Sequence, residues 1–334
     1  MNRRSIVLAT TATAAAAAVG ITLAVIPADA KEDGAGRAGS HGTGHESAAT
    51  GTLGALDATN RADAVFFAGS LNGLNEVPTA GGPAVGDKDG RAIAFLRVQG
   101  DEVSFAFSFR GIAPPTAAHV HQGARGKNGA VRIPFFAKKL PDGRTTATGT
   151  AKVTDKKLLG ALKSDPNGFY FNLHTGEFPG GAVRGQVHKL SAPLDMTTAT
   201  NSFQSSVVKG SQIYACTKKD DGTYGFTQDN VSATLGGSIA HSFVRSGGAP
   251  QWIARDGSAV TGKLVSKVPN GEKNIPELDL RATSSGAARG LFAPVTEILR
   301  LNTRGGVAPA GPCDPKLRPK AAVPYEADYV FVAK

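Results

Sequence analysis

Cysteine and tryptophan are scarce in this chain: Cys216, Cys313 and Trp252 are the only ones among 334 residues. No cysteine lies near the amino terminus, which argues against a lipid anchor there. Beyond the first thirty residues no hydrophobic run reaches the length of a bilayer span, so stable membrane insertion of the remainder is excluded. No Ser-His-Asp set with a nucleophile-elbow context, phosphate loop, dinucleotide fingerprint or metalloprotease helix is present. No catalytic residues are therefore assigned, and binding is favoured over turnover. Nucleic-acid recognition motifs are missing as well, which argues against a nucleic-acid partner in spite of a net charge of +10.

What is present begins with an export signal. Arg3 and Arg4 precede an alanine-rich apolar run over 6–26 that closes at Ala28-Asp29-Ala30, an A-x-A cleavage pattern. Residues 1–30 are expected to be a signal peptide cleaved before Lys31, leaving a secreted, extracytoplasmic product; the arginine pair hints at the twin-arginine route. Residues 31–61 are rich in Gly, Ala, Ser and Thr and hold His41 and His45, but carry almost no large apolar side chain. They are expected to form a disordered linker. The 37 Lys and Arg outnumber 27 Asp and Glu and are scattered as short pairs such as Lys138-Lys139 and Lys218-Lys219. Such pairs are solvated surface whose summed charge attracts an anionic cell-envelope polymer. Outside the cytoplasm Cys216 and Cys313 are expected to form one disulfide, a structural staple.

From Ala64 onward, short segments of alternating apolar residues are separated by Gly, Pro, Asp and Asn, a strand-and-turn rhythm. The pattern predicts an all-β chain with two tandem antiparallel domains, sandwich-like or barrel-like, over 62–190 and 203–334. A polar, threonine-rich linker over 191–202 is expected between them. Strands are predicted at 65–71, 92–98, 103–110, 117–121, 131–136, 144–153, 169–173 and 183–190, and eight more follow residue 203. In Val103-Ser104-Phe105-Ala106-Phe107-Ser108-Phe109 the large residues recur at every second position, so one face is apolar and the other small or polar. Residues 155–163 read as a helix, with Leu158, Leu159 and Leu162 on one face before Pro166.

Three separated motifs mark the first domain. They are Leu71-Asn72-Gly73-Leu74-Asn75-Glu76-Val77-Pro78, then His119-Val120-His121-Gln122-Gly123 with Gly126 and Gly129, and last His174-Thr175-Gly176-Glu177-Phe178-Pro179-Gly180-Gly181-Ala182-Val183-Arg184-Gly185-Gln186. In this order they resemble the opening, central and closing signatures of the CHRD (chordin-type) domain. The resemblance implies a β-sandwich-like module found in secreted animal antagonists of growth factors and in many exported microbial proteins. It implies no established activity for the microbial members, and growth-factor binding does not carry over because the other modules of the animal proteins are absent here.

Read as chemistry, His119 and His121 flank Val120 on a strand, so both imidazoles share one face with Cα atoms roughly 6 to 7 Å apart. That spacing suits two ligands on one metal. His119, His121 and His174, with Glu177 or His188 as a fourth group, form a candidate single-metal site for Zn or Cu. His-Val-His also resembles the copper-binding strand of copper/zinc superoxide dismutases. No histidine lies between Gln122 and Leu173, however, which removes the bridging and zinc-binding set of a two-metal dismutase. The competing reading is a hydrogen-bond cluster that pins two loops, with Arg184 paired to Glu177.

The second half shows Gly210-Ser211-Gln212-Ile213-Tyr214-Ala215-Cys216, Trp252-Ile253-Ala254-Arg255-Asp256-Gly257-Ser258, Ile298-Leu299-Arg300-Leu301-Asn302-Thr303-Arg304-Gly305-Gly306 and Val323-Pro324-Tyr325-Glu326-Ala327-Asp328-Tyr329. Together these resemble a second family of exported microbial domains with no assigned function, over about 203–333. The resemblance implies an all-β fold and little else. Trp252 with Asp256, His241 and Tyr214 has the composition of a sugar site, but a lone tryptophan in a small β-domain is more often core, and Asp256-Gly257 reads as a hairpin turn. The sequence thus points to an exported, non-catalytic binding protein whose partner is an unidentified protein or an anionic envelope polymer. Metal binding, with redox activity as an option, is the alternative, and carbohydrate binding by the second domain a weaker one.

Overall fold

A computed structural model describes residues 51–334; the expected signal peptide, His41 and His45 lie outside the described residues. The first domain contains strands β1 (Gly51–Leu53), β2 (Val65–Asn72), β3 (Arg91–Gln99), β4 (Glu102–Arg110), β5 (Ala117–Gln122), β6 (Val131–Phe136) and β7 (Thr146–Lys152). After helix α1 (Lys156–Ser164) come β8 (Phe169–His174), β9 (Val183–Gln186) and β10 (His188–Lys189). All pair antiparallel in the order β1-β7-β4-β3-β2-β9-β8-β5-β6, with β10 on β2.

The sheet curls so that its two halves share one core. In β4 every second residue, Val103, Phe105, Phe107 and Phe109, is buried inward, as the alternation predicts. Phe135 of β6 and Phe171 of β8 meet them from the other side, with ring centroids 4.5 Å apart for Phe105–Phe135 and 6.1 Å, edge-on, for Phe107–Phe171. Helix α1 starts where the Asp155 side chain accepts from the Lys157 and Leu158 amides, and it lays Leu158, Leu159 and Leu162 on the same core.

The opposite face of β2, β3 and β4 also leaves water. Ala68, Ile93, Phe95 and Ala106 on that face pack with Leu299, Leu301, Val330 and Val332 of the second domain. Arg97, fully buried there, donates to the Asp57 and Thr59 carbonyls and to Ser104 Oγ. Two expected boundaries therefore move. Residues 51–61, expected to lie in a disordered linker, contribute β1, which pairs with β7, and a segment that Arg97 clamps onto the sheet. The expected linker 191–202 buries Leu194, Met196 and Ala199 in the contact between the domains. Composition hid both because few apolar side chains are involved, and backbone pairing and one guanidinium hold the first segment.

The second domain is an eight-stranded closed barrel of β11 (Phe203–Lys218), β12 (Tyr224–Leu235), β13 (Ile239–Phe243), β14 (Pro250–Ile253), β15 (Ala259–Val268), β16 (Glu277–Ser284), β17 (Val295–Gly305) and β18 (Lys320–Ala333). Sequential hairpins build it and β18 closes it against β11, which leaves no open sheet edge. Trp252, Phe292, Phe331, Val260 and Ile298 fill its interior. Cys216 and Cys313 are joined across 97 residues, tying β11 to the loop before β18. In the chain-entropy model such a closure is worth up to ~4.7 kcal/mol. The eight strands expected in this half are all present, and β12 runs further than its apolar pattern suggests, through Gln228-Asp229-Asn230, because its ladder partners continue on β11.

The two domains also meet through buried polar groups. Asp328 on β18 accepts from Ser70 Oγ (3.0 Å) and Asn72 Nδ2 (3.1 Å) of the first domain and from Asn302 Nδ2 (2.7 Å) and Ser206 Oγ of its own. Glu277 receives Arg125 at 2.7 Å and the Asn302 amide at 2.6 Å. At the connecting segment, Ser191 donates through both its amide (2.9 Å) and its hydroxyl (3.0 Å) to Glu297. Burial, reinforced by the neighbouring Asp279 carboxyl, pushes Glu297 up to about 8, and burial raises Asp279 as well.

Replacing Asp328 with Ala should take the acceptor from Ser70, Asn72 and Ser206, while Asn302 Nδ2 keeps the Ser70 carbonyl, and should cost about 3 kcal/mol or more. In calorimetry the wild type should unfold in one transition and the variant in two as the domains uncouple; the same number of transitions in both would contradict this role. Glu297, whose folded-state value is raised, contributes stability that is complete below about pH 4.5 and is lost as pH rises through about 8. The drop in urea midpoint between pH 5 and pH 8 should shrink in Glu297→Gln, and an identical drop in variant and wild type would refute the assignment.

Candidate metal centre

Strand alternation points Ala118 and Val120 of β5 into the phenylalanine core and sends His119 and His121 to the opposite face. On the adjacent β8, Tyr170, Asn172 and His174 share that face, with His121 opposite Tyr170, His119 opposite Asn172, and His174 one step further along. The register is what unites residues more than fifty positions apart. The three histidines are 1%, 7% and 3% exposed, and a ligand nitrogen from each lies within 4.8 Å of the others.

Backbone carbonyls orient the rings. His121 Nδ1 donates to Gly129 O at 2.9 Å, and His174 Nδ1 donates to Pro179 O at 3.0 Å. A carbonyl only accepts, so in the neutral ring each Nδ1 carries the proton and each Nε2 carries the lone pair. His119 Nδ1 is 3.3 Å from His174 Nε2. The Gly129 carbonyl can come this close because the residue has no side chain: a Cβ there would collide with the Gln122 carbonyl. Tyr170 stacks on His121 with centroids 4.8 Å apart and planes 9° apart, and carries the Arg184 guanidinium 3.5 Å above its own ring.

The proposed fourth groups are elsewhere. Glu177 sits exposed on the turn after β8 and is not part of the histidine group. Arg184, expected to pair with it, instead donates to Asn128 Oδ1 (3.1 Å) and to the carbonyls of Ala124 (3.2 Å) and Lys127 (2.7 Å). His188 faces the second domain, with Nε2 3.4 Å from Glu277, and burial lowers its pKa so that it favours the neutral form. The turn closes on backbone and Thr175 hydroxyl bonds, so an exposed Glu177 is compatible with it.

Sequence reasoning passed over four residues at this face. Glu76, within the opening motif, receives Asn172 Nδ2 at 3.4 Å, and burial pushes it up to about 8 against the opposing charge of Arg184. Gly181 has φ 132° and lies where a Cβ would strike Glu76 and Asn172, which accounts for glycine at that point of the closing motif. Tyr170 and Asn172 follow from the period-two pattern of β8 once His174 is placed on its outer face.

In the barrel, Trp252 is 1% exposed and stacks on His241 at 4.4 Å, while His241 Nε2 accepts from Tyr329 Oη at 3.1 Å. Burial holds His241 down to about 3, so the ring is neutral. Asp256 accepts from the Ser258 and Leu291 amides in a turn. Trp252 is therefore core and offers no platform to a sugar, which removes the sugar site built on it.

Residues 67–187 match the CHRD domain family, and residues 229–333 match a family described as a protein of unknown function (DUF3455). No curated protein and no solved structure matches the chain. The first match falls on the curled sheet with its histidine face and the second on the barrel from β12 onward, and the chain is thus a two-domain all-β protein, a CHRD domain followed by a DUF3455 domain.

Proposed function

We propose that this is an exported binding protein whose CHRD domain holds one transition-metal ion, Zn or Cu, on His119, His121 and His174. The observation that carries the reading is the convergence of three buried ring nitrogens within 4.8 Å, two of them on rings whose tautomer a backbone carbonyl sets. Nitrogens at about 2.0–2.1 Å from a tetrahedral zinc are about 3.4 Å from one another by geometry. The His119–His174 separation of 3.3 Å already has that value. Imidazole ligands buttressed by carbonyls suit both Zn and Cu. With Glu177 exposed on its turn, the group is made among the described residues by three histidines, and the site is read as holding metal.

Export rests on the amino-terminal signal pattern and is supported by the disulfide, which an oxidising compartment favours. The excess of basic side chains favours an anionic cell-envelope polymer as its surroundings.

Mature protein exposed to Zn or Cu and then dialysed should retain one equivalent by elemental analysis, and His121→Ala and His174→Ala should retain none. Absence of stoichiometric metal in the wild type would overturn the reading. Retention on isolated cell wall should weaken steadily as salt rises toward about 1 M, where the Debye length is about 3 Å. Binding that does not change with salt would rule out the electrostatic partner.

A further inference from the structure

Between the two domains lies a cavity of about 270 Å³ that the histidine cluster does not line. Three arginines line it, Arg125, Arg184 and Arg304, and Glu76 is the one acidic residue of the lining. Arg184, 1% exposed, is held by two carbonyls and one amide oxygen, dipoles that spread its charge without cancelling it. Arg304 is half exposed and meets Glu326 only at 4.0 Å. Arg125 alone has a close carboxylate, Glu277 at 2.7 Å. Burial favours the uncharged form of Glu76, so the lining is net cationic.

Much of the rest of the wall is side-chain amide. Asn270 is fixed by its Nδ2 bond to Thr303 O (2.8 Å), and Asn274 by its bond to Asn270 O (2.9 Å). Asn270 Nδ2 also bonds Thr303 Oγ1 (2.9 Å) and Asn274 Oδ1 accepts from the Gly305 amide (2.8 Å), so these pre-oriented amides present Asn270 Oδ1 and one Asn274 Nδ2 hydrogen to hydroxyl groups without an ordering cost. Leu74, 58% exposed, adds one apolar patch at the rim. The volume falls just under the ~300 Å³ at which pockets for drug-sized ligands begin, which suits one six-membered ring.

We propose that this interdomain cavity binds a hexuronate-type ligand, a single sugar ring bearing a carboxylate. Arg304 and Arg125 hold the carboxylate in charge-assisted hydrogen bonds, Asn270 and Asn274 take the hydroxyls, and Leu74 lies against the ring. The site draws on both domains.

Titration calorimetry of the mature chain with D-glucuronate and D-galacturonate, beside D-glucose and inorganic phosphate, tests this. At least one uronate should saturate a single site, with glucose and phosphate at least about tenfold weaker. Arg304→Gln, at an exposed position whose change should leave the melting temperature intact, should weaken the uronate by about tenfold or more. Arg125→Gln should do the same, with its melting temperature reporting any loss of the Glu277 contact. The proposal is overturned if neither uronate saturates below about 10 mM, if phosphate binds as tightly as the uronates, or if Arg304→Gln has no effect.

Discussion

A carboxylate out of water needs its lone pairs filled, and Asp328 fills them from both domains at once. Ser70 and Asn72 donate from one side, Asn302 and Ser206 from the other. The consequences extend beyond docking. Asn72 is paired in register with Arg184, and its side chain caps the short turn of Gly73–Asn75 by accepting from the Asn75 amide. That turn delivers Glu76 to Asn172, which sits across the strand pair from His119. One buried acceptor therefore helps to position the histidine face and one wall of the interdomain cavity.

Such a junction is costly in isolation. Each unsatisfied buried polar group costs about 1–3 kcal/mol, so the polar contacts can only hold together if nearly all are completed. The apolar contact beside them supplies the driving force: small and aliphatic residues of β2–β4 admit Leu299, Leu301, Val330 and Val332. Polar groups then choose the register of that contact, since shape alone would tolerate sliding. Glu297 and Asp279 show the cost that remains, two carboxyls kept close in a place where burial opposes the charge of both.

Much of the first domain could be read from the chain. The four inward residues of β4, the α1 stripe and the shared face of His119 and His121 follow from periods of two and 3.6 residues, and those periods survive in the structure. The Cys216–Cys313 bond followed from there being two cysteines. The fourth metal group was less legible, because Glu177 and His188 are near the histidines in sequence, and sequence proximity says nothing about which way a turn carries a side chain. Glu76 was inside a recognised motif and still went without a role, since its place depends on a cap at Asn72 and on a glycine at 181 that leaves room for it.

Local pattern settled which strands exist, which residues face inward and which three histidines could share a metal, because these depend on chain geometry within a few residues. Tertiary structure decided what composition cannot encode. It turned two polar segments into packed structure, sent Trp252 into a barrel core and gave Arg184 carbonyl partners in place of Glu177. It also made a cationic cavity from residues about two hundred positions apart. The reason is that burial and hydrogen-bond satisfaction are properties of the whole packed assembly, whereas periodicity belongs to each strand alone.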